Sequence, residues 1–279
     1  MRDVGHIASL DFLKMHGLGN DFVVIDCRDR AVEVPPTLVR ALADRHKGVG
    51  FDQLALIEDG SDLSVSFYNA DGSRSAACGN ATRCIAAREM EKTGKQALEI
   101  EVVGRGTLTA SLGTDGRVSV NMGQPDFAWQ NIPLAEPVDT LHLPIDGDPV
   151  ATSMGNPHCT FFVEAAEAIN LSKVGPMIEH NPLYPERTNV QFAEITGPDR
   201  IRMRVWERGT GITLASGSSS CATVVAAVRR GLTAHRVNID LDGGTLEIDW
   251  RDDGVWMTGP TSHVFDGRLT EDFLLSLAE

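Results

Sequence analysis

Hydrophobic and polar positions along the chain predict two similar sets of strands and helices. Apolar runs at residues 22–25 and 159–163 have the composition of strands, and each closely follows a Gly-Asn turn. Helical patterns cover residues 82–93 and 220–230, and each is followed by or ends near a glycine. Small and apolar residues within both predicted helices indicate that the helices are buried.

After each predicted helix the pattern changes to the period of two that is typical of strands. The predicted strands cover residues 98–103, 106–112 and 117–121 in the first half and 237–241, 244–249 and 254–257 in the second. Each half therefore predicts an α+β module in which a mainly antiparallel sheet wraps around one central helix. Residues 269–278 predict a last helix.

The two halves are related by an internal duplication. Three triplets recur at a spacing of 138 residues, the distance from position 78 to position 216: FYN at 67–69 on VWE at 205–207, CGN at 78–80 on SGS at 216–218, and GTL at 106–108 on GTL at 244–246. Further upstream the spacing is 136 residues, and there Gly19-Asn20 falls on Gly155-Asn156 and Asp52-Gln53 falls on Thr188-Asn189.

A segment with several prolines separates the two copies. Pro125, Pro133, Pro137 and Pro144 lie in a stretch with little periodicity, which indicates a linker rather than a core element. We expect a boundary near residues 125–146 and two pseudo-symmetric domains, 1–130 and 131–279. The last residues are expected to pack back on the N-terminal domain.

Composition and charge narrow the class of protein. A chain of 279 residues with 42% hydrophobic and 23% charged residues suits a soluble protein of about two domains. The formal net charge of −14 argues against a nucleic-acid partner, because phosphate contacts need clustered Lys and Arg. We find no apolar run long enough to span a membrane and no secretory signal, so we expect a cytoplasmic protein with no membrane partner.

The cysteines and glycines give no sign of a metal or cofactor site. Five cysteines are an odd number without the spacing of a disulfide framework, so we expect reduced thiols. No zinc-type cysteine pairing, HExxH motif or complete GxGxxG motif is present. We therefore expect a small-molecule ligand, no metal and no cofactor.

Chemistry is concentrated at the two helix starts. Cys78 and Ser216 each precede a helix, where several backbone N–H groups have no intrahelical partner and the helix dipole is positive. Two such ends facing one cleft could bind a carboxylate and stabilise the charge that forms when the adjacent carbon loses its proton. The same field favours the thiolate form of Cys78, which suits a base.

Each of these two residues also has a structural interpretation. Cys78 could be a small buried residue before a helix, and Ser216 could be a helix-capping serine. A serine hydroxyl is a far weaker acid than a thiol, so without a partner Ser216 cannot serve as a stored anionic base.

Five motifs, in order along residues 11–265, resemble those of the diaminopimelate epimerase family: MHGLGNDF at 15–22, NADGS at 69–73, CGN at 78–80, MGNPH at 154–158 and WERG at 206–209. In that family two cysteines act as base and acid on opposite faces of the α-carbon. They interconvert LL- and meso-diaminopimelate without a cofactor, in lysine and peptidoglycan synthesis. Cys78 matches the first cysteine, whereas the second falls on Ser216. A lesser departure is Ala81, where the family usually has glycine.

The resemblance also assigns roles to other residues. It implies that the catalytic residues are Cys78, Ser216, His158 and Glu207. It implies that the substrate-binding residues are Asn20, Gln53, Asn69, Gly79, Asn80, Asn156, Asn189, Glu207, Arg208, Gly217 and Ser218. Amide groups suit an amino-acid zwitterion, a guanidinium can bind a carboxylate through two hydrogen bonds, and a glutamate can accept from an ammonium group.

Two other functions fit the same residues. One is a related racemase, such as a proline racemase-like or hydroxyproline epimerase or dehydratase, in which one cysteine position can be replaced. The other is a catalytically silent binding protein. Glu207, Arg208 and the several Asn residues favour a substrate with two amino-acid ends, so we expect diaminopimelate as the substrate, impaired turnover through Ser216, and a homodimer.

Overall fold

A computed structural model describes residues 9–28, 32, 34–58, 63–75 and 78–277, and its secondary structure repeats the same order twice. The first copy contains β1 Leu10–Gly17, β2 Asn20–Asp26, α1 Pro36–Ala43, β3 Gln53–Glu58, β4 Leu63–Asn69, β5 Arg74–Ser75, α2 Gly79–Thr93, β6 Ala97–Val102, β7 Gly106–Leu112 and β8 Val118–Asn121. The second copy contains β9 Val150–Ser153, β10 Pro157–Phe162, α3 Leu171–Glu179, β11 Asn189–Gly197, β12 Arg200–Glu207, β13 Gly211–Ile212, α4 Gly217–Arg229, β14 Arg236–Leu241, β15 Gly244–Arg251 and β16 Gly254–Gly259. The chain then continues into β17 Ser262–Leu269 and α5 Glu271–Leu275.

Strand pairing repeats with the elements. β2 pairs with β3 and β4 with β6 in parallel, and the counterparts β10–β11 and β12–β14 are parallel too. Most of the pairs among the described strands are antiparallel, among them β3–β4 and its counterpart β11–β12. The predicted α+β class, with a duplicated and mainly antiparallel architecture, is confirmed. The predicted strands agree with the observed ones to within two residues at each end.

The folded units are not continuous in sequence. The first unit takes in the described parts of Met1–Gly17, Asp21–Ala110 and Thr261–Glu279, and the second takes in Leu18–Asn20 and Ser111–Pro260. In the first unit β17 pairs with β1, and in the second unit β8 pairs with β16. The ranges 1–130 and 131–279 follow the two sequence copies. The compact units differ from these ranges, because β17 belongs to the first unit and β8 belongs to the second.

Each copy contains one helix in which most residues are buried. In α4, ten of the thirteen residues are buried, and the helix packs against β9, β10, β11, β14, β15 and β16. A helix buried on most sides needs small or apolar residues all around, as in the sequence CATVVAA at 221–227. In α2, ten of the fifteen residues are buried. The prediction of a central helix in each copy is confirmed.

Both helices begin three residues earlier than the periodicity predicts, at Gly79 and Gly217 rather than at residues 82 and 220. Glycine and serine have weak helix preference, so the first turn gives no hydrophobic signal. At the other end, Gly94 has a φ of 72° and donates its N–H to the Met90 carbonyl, which ends α2 as predicted.

The segment between the copies is more than a linker. Residues 125–146 form no helix or strand, but Ile132, Leu134 and Leu143 are buried in a cluster that includes Phe161 and Phe192. The prediction that this segment lies outside the core is therefore wrong, because single apolar residues between the turns reach the core of the second unit.

The C-terminal helix is shorter than predicted. Leu269 ends β17, and the Thr270 hydroxyl caps α5 by accepting from the Phe273 N–H at 3.3 Å. Residue 278, the last of the predicted helix, lies outside the described residues. In the described part of the chain, every helix is too short or too polar to cross a membrane.

Candidate active site

In the first unit, Cys78 is the N-cap residue of α2. Its backbone is extended, with φ −141° and ψ 97°, and its side chain is buried. The Ala81 N–H donates to Sγ at 3.5 Å, and the Thr82 hydroxyl donates to the Cys78 carbonyl at 2.9 Å. A backbone donor at the positive end of a helix stabilises a thiolate more than a thiol.

Gln53 and Asn69 lie opposite each other on the paired strands β3 and β4. The Gln53 amide donates to Asn69 Oδ1 at 3.3 Å and to the Ser75 hydroxyl at 3.1 Å. The Asn69 amide donates to the Ser73 hydroxyl at 3.0 Å. The structure brings these two amides together, and both remain partly exposed.

Asn80 has a different environment. It is buried, and its Oδ1 accepts from Nη1 of the buried Arg83 at 3.1 Å. The Asn80 side chain therefore binds the buried guanidinium of Arg83. The backbone N–H of Asn80, in the first turn of α2, is the group suited to an anion.

In the second unit, Ser216 holds the position equivalent to that of Cys78. It is the N-cap residue of α4, with φ −138° and ψ 114°, but its side chain makes no capping hydrogen bond. Its hydroxyl lies 2.8 Å from Glu207 Oε2 and 2.9 Å from Ser219 Oγ. Its single proton points to the ionised carboxylate, because a charged acceptor is the stronger one. The structure thus brings Ser216 and Glu207, both singled out in the sequence, within hydrogen-bonding distance of each other.

Glu207 is the last residue of β12, and both its oxygens are engaged. Oε2 accepts from Ser216, and Oε1 accepts from the Thr213 hydroxyl. The carboxylate is partly buried. Two hydroxyl donors, those of Thr213 and Ser216, therefore fix the orientation of this carboxylate.

A buried amide connects Ser219 to the histidine that the sequence singles out. Gln191 Nε2 lies 3.0 Å from both Ser219 Oγ and His158 Nδ1, while its Oε1 accepts from the Thr160 hydroxyl at 3.1 Å. Because Nε2 donates to both neighbours, His158 Nδ1 is an acceptor and the ring proton is on Nε2.

That ring proton has a partner. His158 Nε2 donates to Asn156 Oδ1 at 2.9 Å, and the Asn156 amide donates to the Ser218 hydroxyl at 3.4 Å. His158 is fully buried. The histidine therefore orients Asn156, which in turn contacts the first turn of α4.

Asn189 and Arg208 are also neighbours. Asn189 Oδ1 accepts from the Arg208 backbone N–H at 3.0 Å, and its Nδ2 donates to the Pro157 carbonyl at 2.9 Å. Asn189 is buried, so its amide mainly fixes backbone. The Arg208 side chain is exposed, and Nη1 donates to the Glu186 carbonyl at 3.3 Å.

Asn20 and Asn156 occupy equivalent places after a tight turn. Gly19 and Gly155, which precede them, have φ values of 84° and 88°, a conformation that glycine adopts readily. A Cβ atom on Gly19 would also lie 2.7 Å from Leu214 Cδ1. Both asparagines are partly exposed, as a ligand contact requires.

Sequence reasoning missed three members of this cluster: Thr213, Ser219 and Gln191. Ser219 is fully buried in α4, and Gln191 is fully buried in β11. The amide of Gln191 among the apolar residues of VQFA, at 190–193, was the available signal, because a buried polar group needs partners.

Two of the other thiols, those of Cys84 and Cys159, have raised pKa values. All five cysteines are free. Burial raises the pKa of Cys84 to about 11 and that of Cys159 to about 12, which keeps both protonated near neutral pH. Across the residues that the structure describes, no group of three or more His, Cys, Asp or Glu side chains could hold a metal ion.

Comparison with known proteins identifies the family. The profile of the diaminopimelate epimerase family matches residues 12–128 and 150–264. The chain is 52% identical to the diaminopimelate epimerase of Acidiphilium cryptum, over 94% of this chain and 97% of that protein. It is 50% identical to that of Rhodospirillum centenum, over 94% and 93% of the two chains.

A distant solved structure shares the fold. The hydroxyproline epimerase of Agrobacterium vitis superposes with a TM-score of 0.65 at 12% identity, covering 95% of this chain and 93% of that chain. At such low identity the likeness shows the fold alone. The family profile and the close relatives cover nearly the whole chain, and the chain therefore belongs to the diaminopimelate epimerase family.

Proposed function

We propose that this protein converts LL-diaminopimelate to meso-diaminopimelate without a cofactor, in lysine and peptidoglycan biosynthesis. Family membership supports the substrate and the reaction. The observation that carries the mechanism is the equivalence of Cys78 and Ser216, which are N-cap residues of the two buried helices and have the same backbone conformation. Each supplies one acid–base group to the α-carbon.

Cys78 is the first of these groups. As a thiolate it removes the α-proton of one stereoisomer and becomes a thiol, and the electron pair is delocalised onto the substrate carboxylate. The N–H of Ala81 stabilises the thiolate. Backbone N–H groups of Gly79, Asn80, Gly217 and Ser218 are the donors suited to the carboxylate, because they lie in the first turns of α2 and α4.

Ser216 and Glu207 together form the second group. When the Ser216 oxygen takes an α-proton, its own proton passes to the Glu207 carboxylate. In the opposite direction Ser216 protonates the carbanion and recovers a proton from Glu207. The 2.8 Å distance between Oγ and Oε2 allows this transfer within one hydrogen bond. We expect the proton transfer that uses Ser216 to be slow, because a serine hydroxyl is a far weaker acid than a thiol.

The remaining assigned residues bind or orient the substrate. Arg208 is exposed and suits the distal carboxylate, and Asn20, Gln53, Asn69 and Asn156 are partly exposed amides suited to the amino-acid groups. The polar chain around His158 supports a role in orienting Asn156, and the hydrogen bonds of Asn189 support a role in fixing the backbone at Arg208.

The proposal includes a cytoplasmic location and a homodimer. Five free thiols suit a reducing compartment. Val264 and Phe265 on β17 are 54% and 46% exposed, and neighbouring exposed apolar side chains are typical of association surfaces. Light scattering at micromolar concentration should give twice the mass of the chain, whereas the monomer mass would reject the dimer.

Proton exchange in deuterated water tests the reaction. LL- and meso-diaminopimelate are incubated separately with the enzyme, and deuterium at the α-carbon and inversion are followed by NMR and chiral chromatography. We expect exchange and slow inversion with diaminopimelate and neither with hydroxyproline. Cys78→Ala should abolish exchange from the stereoisomer that the parent enzyme exchanges faster.

Cys27→Ala is the matched control, because Cys27 is 8% exposed and Cys78 is 7% exposed, and Cys27 lies outside both helix starts. The control should retain exchange. Exchange of this faster stereoisomer that survives in Cys78→Ala would remove Cys78 from the mechanism, and a parent enzyme that exchanges hydroxyproline instead would reject the substrate.

A further inference from the structure

A buried carboxylate lies behind the residues that the mechanism uses. Glu179, at the end of α3, is 3% exposed. Its Oε2 accepts from the Trp206 indole N–H at 2.7 Å, and its Oε1 accepts from the Gly209 backbone N–H at 2.8 Å. These two donors flank Glu207 and Arg208 in the sequence. One carboxylate therefore holds both ends of the dipeptide.

Helix α3 also seats the indole ring. A Cβ atom on Gly175 would lie 2.5 Å from Cγ of Trp206, so only glycine leaves room for the ring at this place. Gly175 and Glu179 are four residues apart on the helix and therefore share a face. The Trp206 ring packs on Gly175, and its indole N–H donates to Glu179, one helical turn further along α3.

The backbone between these anchors is fixed as well. The Arg208 N–H donates to Asn189 Oδ1 at 3.0 Å. Trp206, Arg208 and Gly209 are thus each held by a buried acceptor, and the Glu207 side chain extends from this segment to Ser216 at 2.8 Å.

We propose that Glu179 is a positioning residue for the reaction. It holds segment 206–209 so that Glu207 meets the Ser216 hydroxyl and Arg208 presents its guanidinium to the substrate. This inference rests on the proposed function, which supplies the substrate, diaminopimelate. A carboxylate is needed because the segment offers two N–H donors, and only a carboxylate offers two acceptor oxygens.

Glu179→Gln tests this role with little change in volume. Glutamine has one acceptor and one donor, so one of the two N–H groups would face another N–H group in a buried place. At saturating diaminopimelate, we expect the residue-216-dependent exchange to fall by on the order of tenfold, together with inversion. Cys78-dependent exchange should stay within about twofold, and KM should rise through Arg208.

The two exchange reactions are assigned by variants of the same enzyme. The residue-216-dependent reaction is the one that Ser216→Ala lowers, and the Cys78-dependent reaction is the one that Cys78→Ala lowers. Their ratio reports the position of Glu207, because a general loss of folded enzyme would lower both reactions equally.

Glu167→Gln is the matched control. Glu167 is an exposed glutamate that pairs with Arg202, which lies on β12, the same strand that carries Trp206 and Glu207. We expect this variant to keep the exchange ratio and KM of the parent.

Trp206→Phe is a second test, because it keeps an aromatic ring on Gly175 and removes only the N–H donor to Glu179. It should shift the ratio in the same direction, and it decides the proposal if Glu179→Gln does not fold. An unchanged ratio, or an equal loss of both reactions, would overturn the positioning role. Failure of the proposed function is a separate outcome, because the parent enzyme would then exchange neither stereoisomer of diaminopimelate.

Discussion

At positions 78 and 216 the same backbone conformation carries a thiol in one copy and a hydroxyl in the other. The sulfur accepts from the N–H of its own helix, whereas the serine oxygen contacts a carboxylate. The difference follows from acidity. A thiolate can exist alone at a helix start, but a serine needs a base within hydrogen-bonding distance to give up its proton.

Ser216→Cys should raise the rate of inversion by on the order of 100-fold, because a thiol is a far better acid and its anion a stored base. The same substitution should make inversion less sensitive to Glu207→Gln, which in the serine enzyme removes the proton acceptor. Chiral chromatography of the products measures both effects. A rate that Ser216→Cys does not raise would mean that Glu207 activates the serine fully.

Alkylation should distinguish Cys78 from the deeply buried thiols. Its Sγ accepts an N–H donor at the start of α2, whereas burial raises the pKa of Cys84 to about 11 and of Cys159 to about 12. Iodoacetamide at pH 7.5 should therefore modify Cys78 at least tenfold faster than either, since the thiolate is the nucleophile. Peptide mass spectrometry measures the rates, and equal labelling of the three would contradict the assignment.

At the scale of elements, α2 and α4 were predictable in their interiors and at their ends but not at their starts, whereas α1 and α3 were not predicted from the sequence. The alternation of apolar and polar residues in the strands after α2 and α4, and the glycines that follow these two helices, are local signals. The elements predicted from them are confirmed. The first turns, with sequences GNA and GSS, have no hydrophobic period. The contact between α3 and Trp206 could not be predicted, because it depends on where a helix of the same copy packs against β12.

The glycine that ends α2 gives a test of element stability. Gly94 has a φ of 72°, and an added Cβ would contact nothing within 4 Å. Gly94→Ala should therefore lower the free energy of unfolding by about 1 to 2 kcal/mol through backbone strain alone. Gly197→Ala is the control, because its nearest contact would be an ordinary 3.6 Å. Urea denaturation should show the loss for the first variant and a change of under about 0.5 kcal/mol for the second.

At the scale of the whole molecule, the sequence revealed the two copies but not the membership of the folded units. Hydrophobic patterns are local, whereas the ladder between β1 and β17 joins Leu10 to Leu269. No periodicity specifies a partner at that distance. The linker prediction failed for a related reason, because isolated residues such as Ile132 are buried without belonging to a periodic element.

Stability of the molecule should depend on pH through partly buried ion pairs such as those at Asp21. Burial by itself would raise the pKa of Asp21, but hydrogen bonds and charges of Arg45 and Lys14 outweigh it, and the pKa lies below its ordinary value. The stability from this group is present above about pH 4, where an unfolded aspartate is ionised, and is lost as the pH falls through the folded-state pKa.

Asp21→Asn should lower the free energy of unfolding by about 1 to 3 kcal/mol at pH 7, because it removes the carboxylate that pairs with Lys14 and leaves Arg45 paired with Asp52 alone. The difference from the parent should shrink as the pH falls below about 4. Asp146→Asn, at an exposed aspartate, should change little. Urea denaturation at several pH values checks the trend, and a difference that grows at acid pH would contradict it.

The pairing of β8 with β16 has a meaning for the origin of the chain. These strands are counterparts in the two copies, and their ladder is symmetric: the spacing of 138 residues turns the pair Asn121–Trp256 into the pair Val118–Gly259 of the same ladder. Before the duplication, one gene encoding a single copy would have produced two identical chains able to form this ladder with each other. Gene fusion would then have preserved an ancestral dimer interface inside one polypeptide. It would also have allowed the two equivalent helix-start positions to differ, as the thiol of Cys78 and the hydroxyl of Ser216 now do.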